Sequence, residues 1–254
     1  KNKSSPRFRR LEDYTAIDES ARRRREQYPD FTLVFNLLSF DPPLRIRLKT
    51  ALYGEYPETA TISDIWPNAD WYEREIYDMF GIRFKGHANL RRLIMPPDWV
   101  GHPLRKEHPG RATEMAPYTY KEARDLQPLG GEQYFSPETE GDGEALILNM
   151  GPHHTATHGL LRLIVRLEGE IITGLDLDVG YHHRAVEKLG ERQTWLQFIP
   201  YTDRVDYIAG AANNLPYVMA VEQLAGIDVP ERAQCIRVLM TELFRLSNHM
   251  AYCG

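Results

Sequence analysis

Between Gly110 and Gly143 the chain runs through a segment rich in Pro, Gly and Glu, with Pro117, Pro128 and Pro137 spaced along it. A segment of that composition does not bury enough apolar surface to fold by itself. The 254 residues are therefore expected as two blocks, 1–109 and 144–254, joined by a linker over 110–143. Tyr118, Tyr120, Tyr134 and Phe135 fall inside that linker. A free flexible spacer carries fewer aromatics, so this one is expected to lie along a surface.

In the first block Phe8–Asp18 reads as a strand and turn. Phe31–Phe40 reads as a strand that Asp41-Pro42-Pro43 turns into Leu44–Leu52. There Leu44, Ile46 and Leu48 alternate with Arg45, Arg47 and Lys49, the period of two of a half-buried sheet. Pro67 and Asp70 prepare a helix with Trp71, Ile76 and Phe80 near one side and Gly81 as its stop. Together these make a small α+β module, a sheet with helix over one face.

In the second block Ala145–Met150 is a short strand. Leu160–Glu168, with Leu161, Leu163, Val165 and Leu167 set against Arg162, Arg166 and Glu168, turns at Gly169 into Glu170–Val179, a β-hairpin unit. Long helices are expected to follow. One covers His183–Phe198, a second is capped near Thr202-Asp203 and kinked at Pro216, and a third is entered at Asp228-Val229-Pro230. On the third, Ile236, Leu239, Met240, Leu243, Leu246 and Met250 form an apolar stripe, expected in the core.

Composition narrows the function classes. A hydrophobic content of 42% with 26% charged residues fits a globular protein. No run of about 18 apolar residues is present to span a membrane. A net charge of −5 argues against a general nucleic-acid binder, and the basic run Arg22–Arg25 reads as a solvated helix face. Cys235 and Cys253 are the two cysteines. They make no disulfide framework and no set of four thiolates for an iron–sulfur cluster, so the default setting is reducing and cytoplasmic. His87, His102 and His108 have no neighbouring Cys and suit no common zinc spacing.

The chemistry gathers between Asn149 and Tyr207. Here His153, His154, His158, Tyr181, His182, His183, Arg184, Asp203, Arg204, Asp206 and Tyr207 lie among Gly, Pro and apolar positions. That is too many ionisable groups for a plain core and too much apolar surface for a loose loop. His154 and His158 sit four apart. Gly151-Pro152 before them and Gly159 after them argue for a loop, so the helical rule of a shared face does not apply.

The run GPHHTATHG, then G-x-H-x-R-x-x-E-K, then P-Y-x-D-R-x-D-Y resembles the D-type subunit of NADH:quinone oxidoreductase, respiratory complex I. That family usually has Pro where Thr155 stands, which bears on the local loop alone. Residues 70–109, with Glu73, Arg74, Glu75, Asp78, Phe80, Gly81, then His87, Arg91, Arg92, Trp99, His102, Leu104, Arg105 and Lys106, resemble the signature of the C-type subunit. We read these residues as a docking surface, since Pro, Trp and Arg are rigid or make planar contacts. C first and D second implies a fused bacterial C/D subunit. The family proteins extend beyond both ends, which implies a fragment.

The resemblance carries further expectations. The D-type subunit shares its architecture with the large subunit of [NiFe] hydrogenases, where the segment matching Asp203–Ala209 reads R-x-C-G-x-C. Asp206 and Ala209 stand at the two cysteine positions, and neither is a bridging soft ligand, so no metal is expected on this chain. Tyr207 stands at the glycine between them. The family places a Tyr and a His at the positions of Tyr207 and His158, the expected catalytic pair, which hold the quinone head group together with His154. Asp206 and Arg204 are expected behind them. Arg184 matches the arginine beside the terminal iron–sulfur cluster of a neighbouring subunit, and Glu187 and Lys188 are expected as structural partners. Quinone is then the substrate, while the Fe-S cluster, FMN and NADH belong to partner subunits. The partners expected are the small Fe–S subunit and the membrane subunit at the quinone channel, on the cytoplasmic face of the bacterial inner membrane, with no nucleic acid. Two alternatives stay open: a scaffold or assembly subunit without catalytic residues, and the equivalent subunit of a ferredoxin-fed relative.

Overall fold

The computed structural model describes residues 6–22, 28–96, 99–111, 146–153 and 160–253. The chain divides into two compact units, 1–120 and 121–254. Most of the expected linker, from 112 to 143, lies outside the described residues.

Unit 1 is built on a three-stranded antiparallel sheet in the order β1 (Phe8–Asp18), β2 (Phe31–Phe40), β3 (Pro43–Leu52). Its central strand, paired on both edges, buries four residues in succession, Phe31 to Val34. β3 is the edge. It is exposed along nearly its whole length, Leu44 and Leu48 included; Ile46 packs against the core and Leu52, at its end, enters it. The expected half-burial therefore fails there, and Arg45, Arg47 and Lys49 instead give an edge that resists pairing with another chain.

β1 departs from a strict period of two. Its buried residues Leu11, Tyr14 and Ala16 are spaced three and then two apart, because the register shifts between Leu11 and Asp13. Such a shift frees backbone carbonyls from the ladder. Three donors around helix α1 (Ala69–Phe80) meet them: Trp66 Nε1 to Phe8 O at 3.1 Å, Asn68 Nδ2 to Leu11 O at 2.9 Å and Tyr72 OH to Glu12 O at 3.2 Å. The helix is thus locked across β1 as well as packed on it. Ile76, Met79 and Phe80 enter the core, while Trp71 stays 38% exposed with the Arg74 guanidinium over its ring. Gly81 ends the helix in the left-handed region at φ 76°, where any Cβ would lie 2.6 Å from the His102 ring. Two short parallel strands, β4 (Glu58–Ala60) and β5 (Arg83–Lys85), follow the sheet and the helix.

The signature residues expected at a docking surface are largely inside. Asp78 is fully buried. One oxygen of its carboxylate accepts the N–H groups of Leu93, Ile94 and Met95 at 3.1, 2.8 and 2.8 Å, and the other accepts Arg92 at 2.6 Å. Arg92 then reaches the carbonyls of Trp99 and Gly101 at 2.8 and 2.9 Å. Arg105, 4% exposed, donates to the carbonyls of Phe80 and Glu55 at 2.7 and 2.6 Å and lies over the Phe31 and Tyr56 rings. A loop without regular structure must satisfy its backbone some other way. Charged side chains of α1 and of the loop itself serve that need, so these residues hold the loop on α1 rather than face outward.

Unit 2 opens with a second antiparallel sheet, β6 (Leu146–His153), β7 (Leu161–Glu168) and β8 (Ile171–Asp178), in sequence order. Gly169 sits at φ +62° in the two-residue turn between β7 and β8, a conformation side-chain-bearing residues avoid. As the central strand, β7 buries Ile164, Val165 and Arg166 consecutively, so the alternation read from its sequence does not set its burial. Among the described residues four helices follow: α2 (Val186–Gly190), α3 (Trp195–Thr202), α4 (Gly210–Ala225) and α5 (Glu231–Cys253).

The helix expected over His183–Phe198 is in fact two. Thr194 starts a new one with a capping box, its hydroxyl accepting Gln197 N–H while the Gln197 side chain takes the Thr194 N–H. Thr202-Asp203, expected as an N-cap, ends α3. Lys188 is buried and pairs with Glu191 at 3.5 Å, one turn on.

Candidate functional site

The turn from α3 to α4 spans residues 203–209 and carries Arg204, Asp206 and Tyr207. Its ends are held close together. Thr202 Oγ1 donates to Asn214 Oδ1 at 2.7 Å, and Gly210 lets the start of α4 approach Asp203, whose Cβ would lie 3.2 Å from any added methyl. Tyr217 OH donates to the Trp195 carbonyl at 3.0 Å, and Phe198 meets the Tyr217 ring edge-on, so α3 and α4 form a rigid pair beneath the turn.

Asp206 is half-buried. Its side chain accepts Asn248 Nδ2 of α5 at 3.0 Å and the Ile208 N–H at 3.3 Å, and its carbonyl accepts Asn213 Nδ2 at 3.1 Å and the Ala209 N–H at 3.1 Å. Tyr207, 43% exposed, faces an open pocket of about 380 Å³ that it lines with Asp203, Arg204, Gly210, Ala211, Asn214 and Phe244. Arg204 donates to the Pro200 carbonyl and to Asp203 at 2.9 Å, an exposed pair that positions more than it stabilises. A smaller apolar pocket of about 220 Å³ between α4 and α5 shares Ala211 and Asn214 with the first.

The structure therefore brings together Arg204, Asp206 and Tyr207. Arg184 is exposed, just before Ala185, which caps α2 in the left-handed region at φ 52°. His154 and His158 lie outside the described residues. On the β6–β8 sheet, Arg162 of β7 donates to Asn149 Oδ1 at 2.7 Å and to Asp178 at 3.3 Å, and Tyr181 OH donates to the same Asp178 carboxylate at 2.6 Å. Partial burial first, and then this hydrogen bond, push the Tyr181 phenol above its ordinary range. Among the described residues no group of three or more His, Cys, Asp or Glu side chains is placed to hold a metal ion.

Sequence reasoning missed Asn213, Asn214 and Asn248. Local pattern gives no signal for Asn248: it falls on the face of α5 that carries Arg237, Thr241 and Phe244, not on the apolar stripe, and only the fold brings it to its partner.

Comparison with known proteins gives three findings. Residues 1–114 match the family of the respiratory-chain NADH dehydrogenase 30 kDa subunit. The chain is 53% identical over 253 residues to the NADH-quinone oxidoreductase C/D subunit of Acinetobacter baumannii (strain AYE), covering 96% of this chain and 42% of that protein. It is 51% identical to the protein of the same name from Methylococcus capsulatus over 96% of its length, and 49% identical to that of Acidiphilium cryptum over 98%. In both of these the match covers 43% of the relative, so the chain spans less than half the length of these proteins. A solved trypsin-resistant fragment of Nqo5 matches 33% of this chain and 66% of its own at 31% identity, with a TM-score of 0.29.

Proposed function

We propose that this chain, a homologue of NADH-quinone oxidoreductase C/D subunits along almost its whole length, forms one wall of a quinone-reduction site in the peripheral arm of such a complex. The observation that carries the proposal is Tyr207, half-exposed on an open pocket beside Arg204 and Asn214 in a chain so closely related to proteins of that name.

Reducing a quinone to a quinol takes two electrons and two protons, delivered at two carbonyl oxygens on opposite sides of the ring. A phenol and an imidazole are suited to donate there, with ordinary pKa values of about 10 and 6.5. Tyr207 takes one oxygen and His158 the other, with His154 beside it, and Asp206 and Arg204 hold the turn that presents Tyr207. The electrons arrive from an iron–sulfur cluster on the small neighbouring subunit. Arg184 stands toward that cluster, where a fixed positive charge favours the reduced state. FMN and NADH belong to more distant subunits, and the membrane subunit receives the quinone channel at the cytoplasmic face of the inner membrane. On this reading unit 2 is kin to the hydrogenase large subunit, with Asp206 and Ala209 where metal-binding thiolates would stand. Unit 1, whose signature residues hold its own fold together, serves as a support for the neighbouring subunits.

The test is Tyr207→Phe in the complete complex in membranes. It removes one hydrogen-bond donor and keeps the ring, a loss of roughly 0.5–1.5 kcal/mol in binding. The KM for a short-chain quinone should rise, while electron transfer from NADH to an artificial acceptor that draws upstream stays unchanged. Loss of both activities would assign Tyr207 to the fold or the electron path; loss of neither would remove it from the site.

A further inference from the structure

We infer that Asn248 of α5 is a positioning residue for Tyr207, acting through Asp206. The inference rests on the proposed quinone site and extends it to a helix that the site's own motif does not include.

The peptide joining Asp206 to Tyr207 is fixed from two helices at once. Its carbonyl accepts Asn213 Nδ2 of α4 at 3.1 Å together with the Ala209 N–H at 3.1 Å, which sets the plane of the peptide. The Asp206 side chain, on the other side of the same residue, accepts Asn248 Nδ2 of α5 at 3.0 Å. An ionised carboxylate only accepts, so the amide nitrogen is the atom of Asn248 that bonds to it. With the plane and the side chain both held, the backbone of Tyr207 has little freedom left, and its Cα–Cβ bond keeps one direction at the pocket.

Two features show that the contact is built for position. Asn248 is half-buried on the face of α5 that carries Arg237, Thr241 and Phe244, away from the exposed apolar stripe, and a half-buried amide needs a partner. It also spans 42 residues of sequence to reach a carboxylate that the Ile208 N–H already holds from within the turn. The bond to Asn248 therefore ties the turn to α5, whose Phe244, one turn earlier, lines the same pocket. A preorganised donor is worth more than the same donor on a mobile turn, because the geometry is set before the substrate arrives.

The experiment uses the complete complex in membranes, with Asn248→Leu, Tyr207→Phe and the double variant. Asn248→Leu keeps the branched shape of the side chain and removes the donor. The expected result is a KM for a short-chain quinone raised roughly three- to tenfold, with NADH-to-artificial-acceptor activity unchanged. In the Tyr207→Phe background the same substitution should add little, because the hydroxyl it positions is gone. Equal effects of Asn248→Leu in both backgrounds, or no effect in either, would overturn the inference. A Tyr207→Phe variant with parental KM would sink the quinone-site reading itself, whatever Asn248 does.

Should Asn248→Leu fail to assemble, the exchange pair decides. Asn248→Asp alone sets two carboxylates against each other. Asn248→Asp with Asp206→Asn restores one donor and one acceptor with their roles reversed. A quinone KM nearer the parent in the exchanged pair than in Asn248→Asp alone supports the inference; no recovery overturns it.

Discussion

In unit 1 charged side chains point inward. Asp78 and Glu73 are 0% exposed and Arg105 is 4% exposed, each with hydrogen bonds to backbone groups of the surrounding loops. In unit 2 apolar side chains point outward: Leu239 is 59% and Met250 70% exposed, as is most of the stripe on α5 that its sequence pattern assigns to a core. The first arrangement closes a small module around loops that have no ladder of their own. The second leaves helices with an apolar face that nothing in the described residues covers. Large contiguous apolar surface on a folded protein marks a place of contact with other protein or with lipid. The contrast is between a unit whose polar groups close on themselves and one that leaves an apolar helix face bare among the described residues.

The largest expected effect breaks the inward half of this comparison. Asp78→Ala strands three buried N–H groups and the Arg92 guanidinium, and should cost about 3–5 kcal/mol, the range for breaking one side of a buried charge pair. Chemical denaturation of the chain, read with hydrogen exchange at the amides of residues 93–95, checks it. Unchanged protection at those amides would mean that the loop holds to α1 by packing alone.

Next is Gly81→Ala, which asks a side-chain-bearing residue to adopt φ 76° and sets a methyl 2.6 Å from the His102 ring. Overpacking of this kind costs about 1–3 kcal/mol. A melting temperature equal to the parent's would show that His102 moves aside freely, and that the turn after α1 is looser than its contacts imply.

Glu73 sharpens the comparison through pH. Burial is the main cause that holds its carboxyl above the usual range, against hydrogen bonds from Thr61 and Ile62 that pull it down. A raised folded-state pKa means that the folded chain binds the proton more tightly than the unfolded one. Stability from this group is therefore greatest below the unfolded value near 4.5 and falls as pH rises from there through the folded value. Glu73→Gln does not titrate, so its stability relative to the parent should climb over that window. A difference independent of pH would place the charge of Glu73 in a better-solvated site than its burial indicates.

The smallest effect belongs to unit 2. Leu239→Ala removes a side chain that is already 59% exposed and should change the stability of the chain alone by no more than about 0.5 kcal/mol. The same truncation at Leu33, 1% exposed, should cost about 2–5 kcal/mol. If the two costs match, α5 is covered in solution, by a second copy of the chain or by residues outside those described. Sedimentation across a concentration series separates those two outcomes.

Much of the architecture was legible in local pattern. The bounds of β2 follow from its apolar run, and the end of α1 follows from Gly81, the residue that tolerates a left-handed turn. The β7–β8 hairpin is announced by Gly169 between two alternating segments. Periodicity and turn chemistry act over a few residues, and a few residues of sequence are enough to read them. Arg204, Asp206 and Tyr207 share one turn, and Arg204 and Tyr207 line one pocket.

Part of what escaped is local, and part depends on partners far along the chain. The break between α2 and α3 lies in a stretch that reads as continuous helix, and it is set by the Thr194 capping box and by Gly190, where an added Cβ would lie 2.8 Å from Phe198. The signature residues of unit 1 read as a docking surface because Pro, Trp and Arg suit rigid, planar contacts, whereas α1 and its loop supply enough backbone donors and acceptors to hold Asp78 and Arg105 inside. Asn248 reads as one polar residue among many on α5, and only the fold brings it to Asp206, 42 residues away. The sequence by itself determined the strands, turns and helix-forming segments, because their causes are local. Tertiary structure decided which polar groups are buried and which apolar ones are left exposed, because burial depends on what the rest of the chain brings alongside.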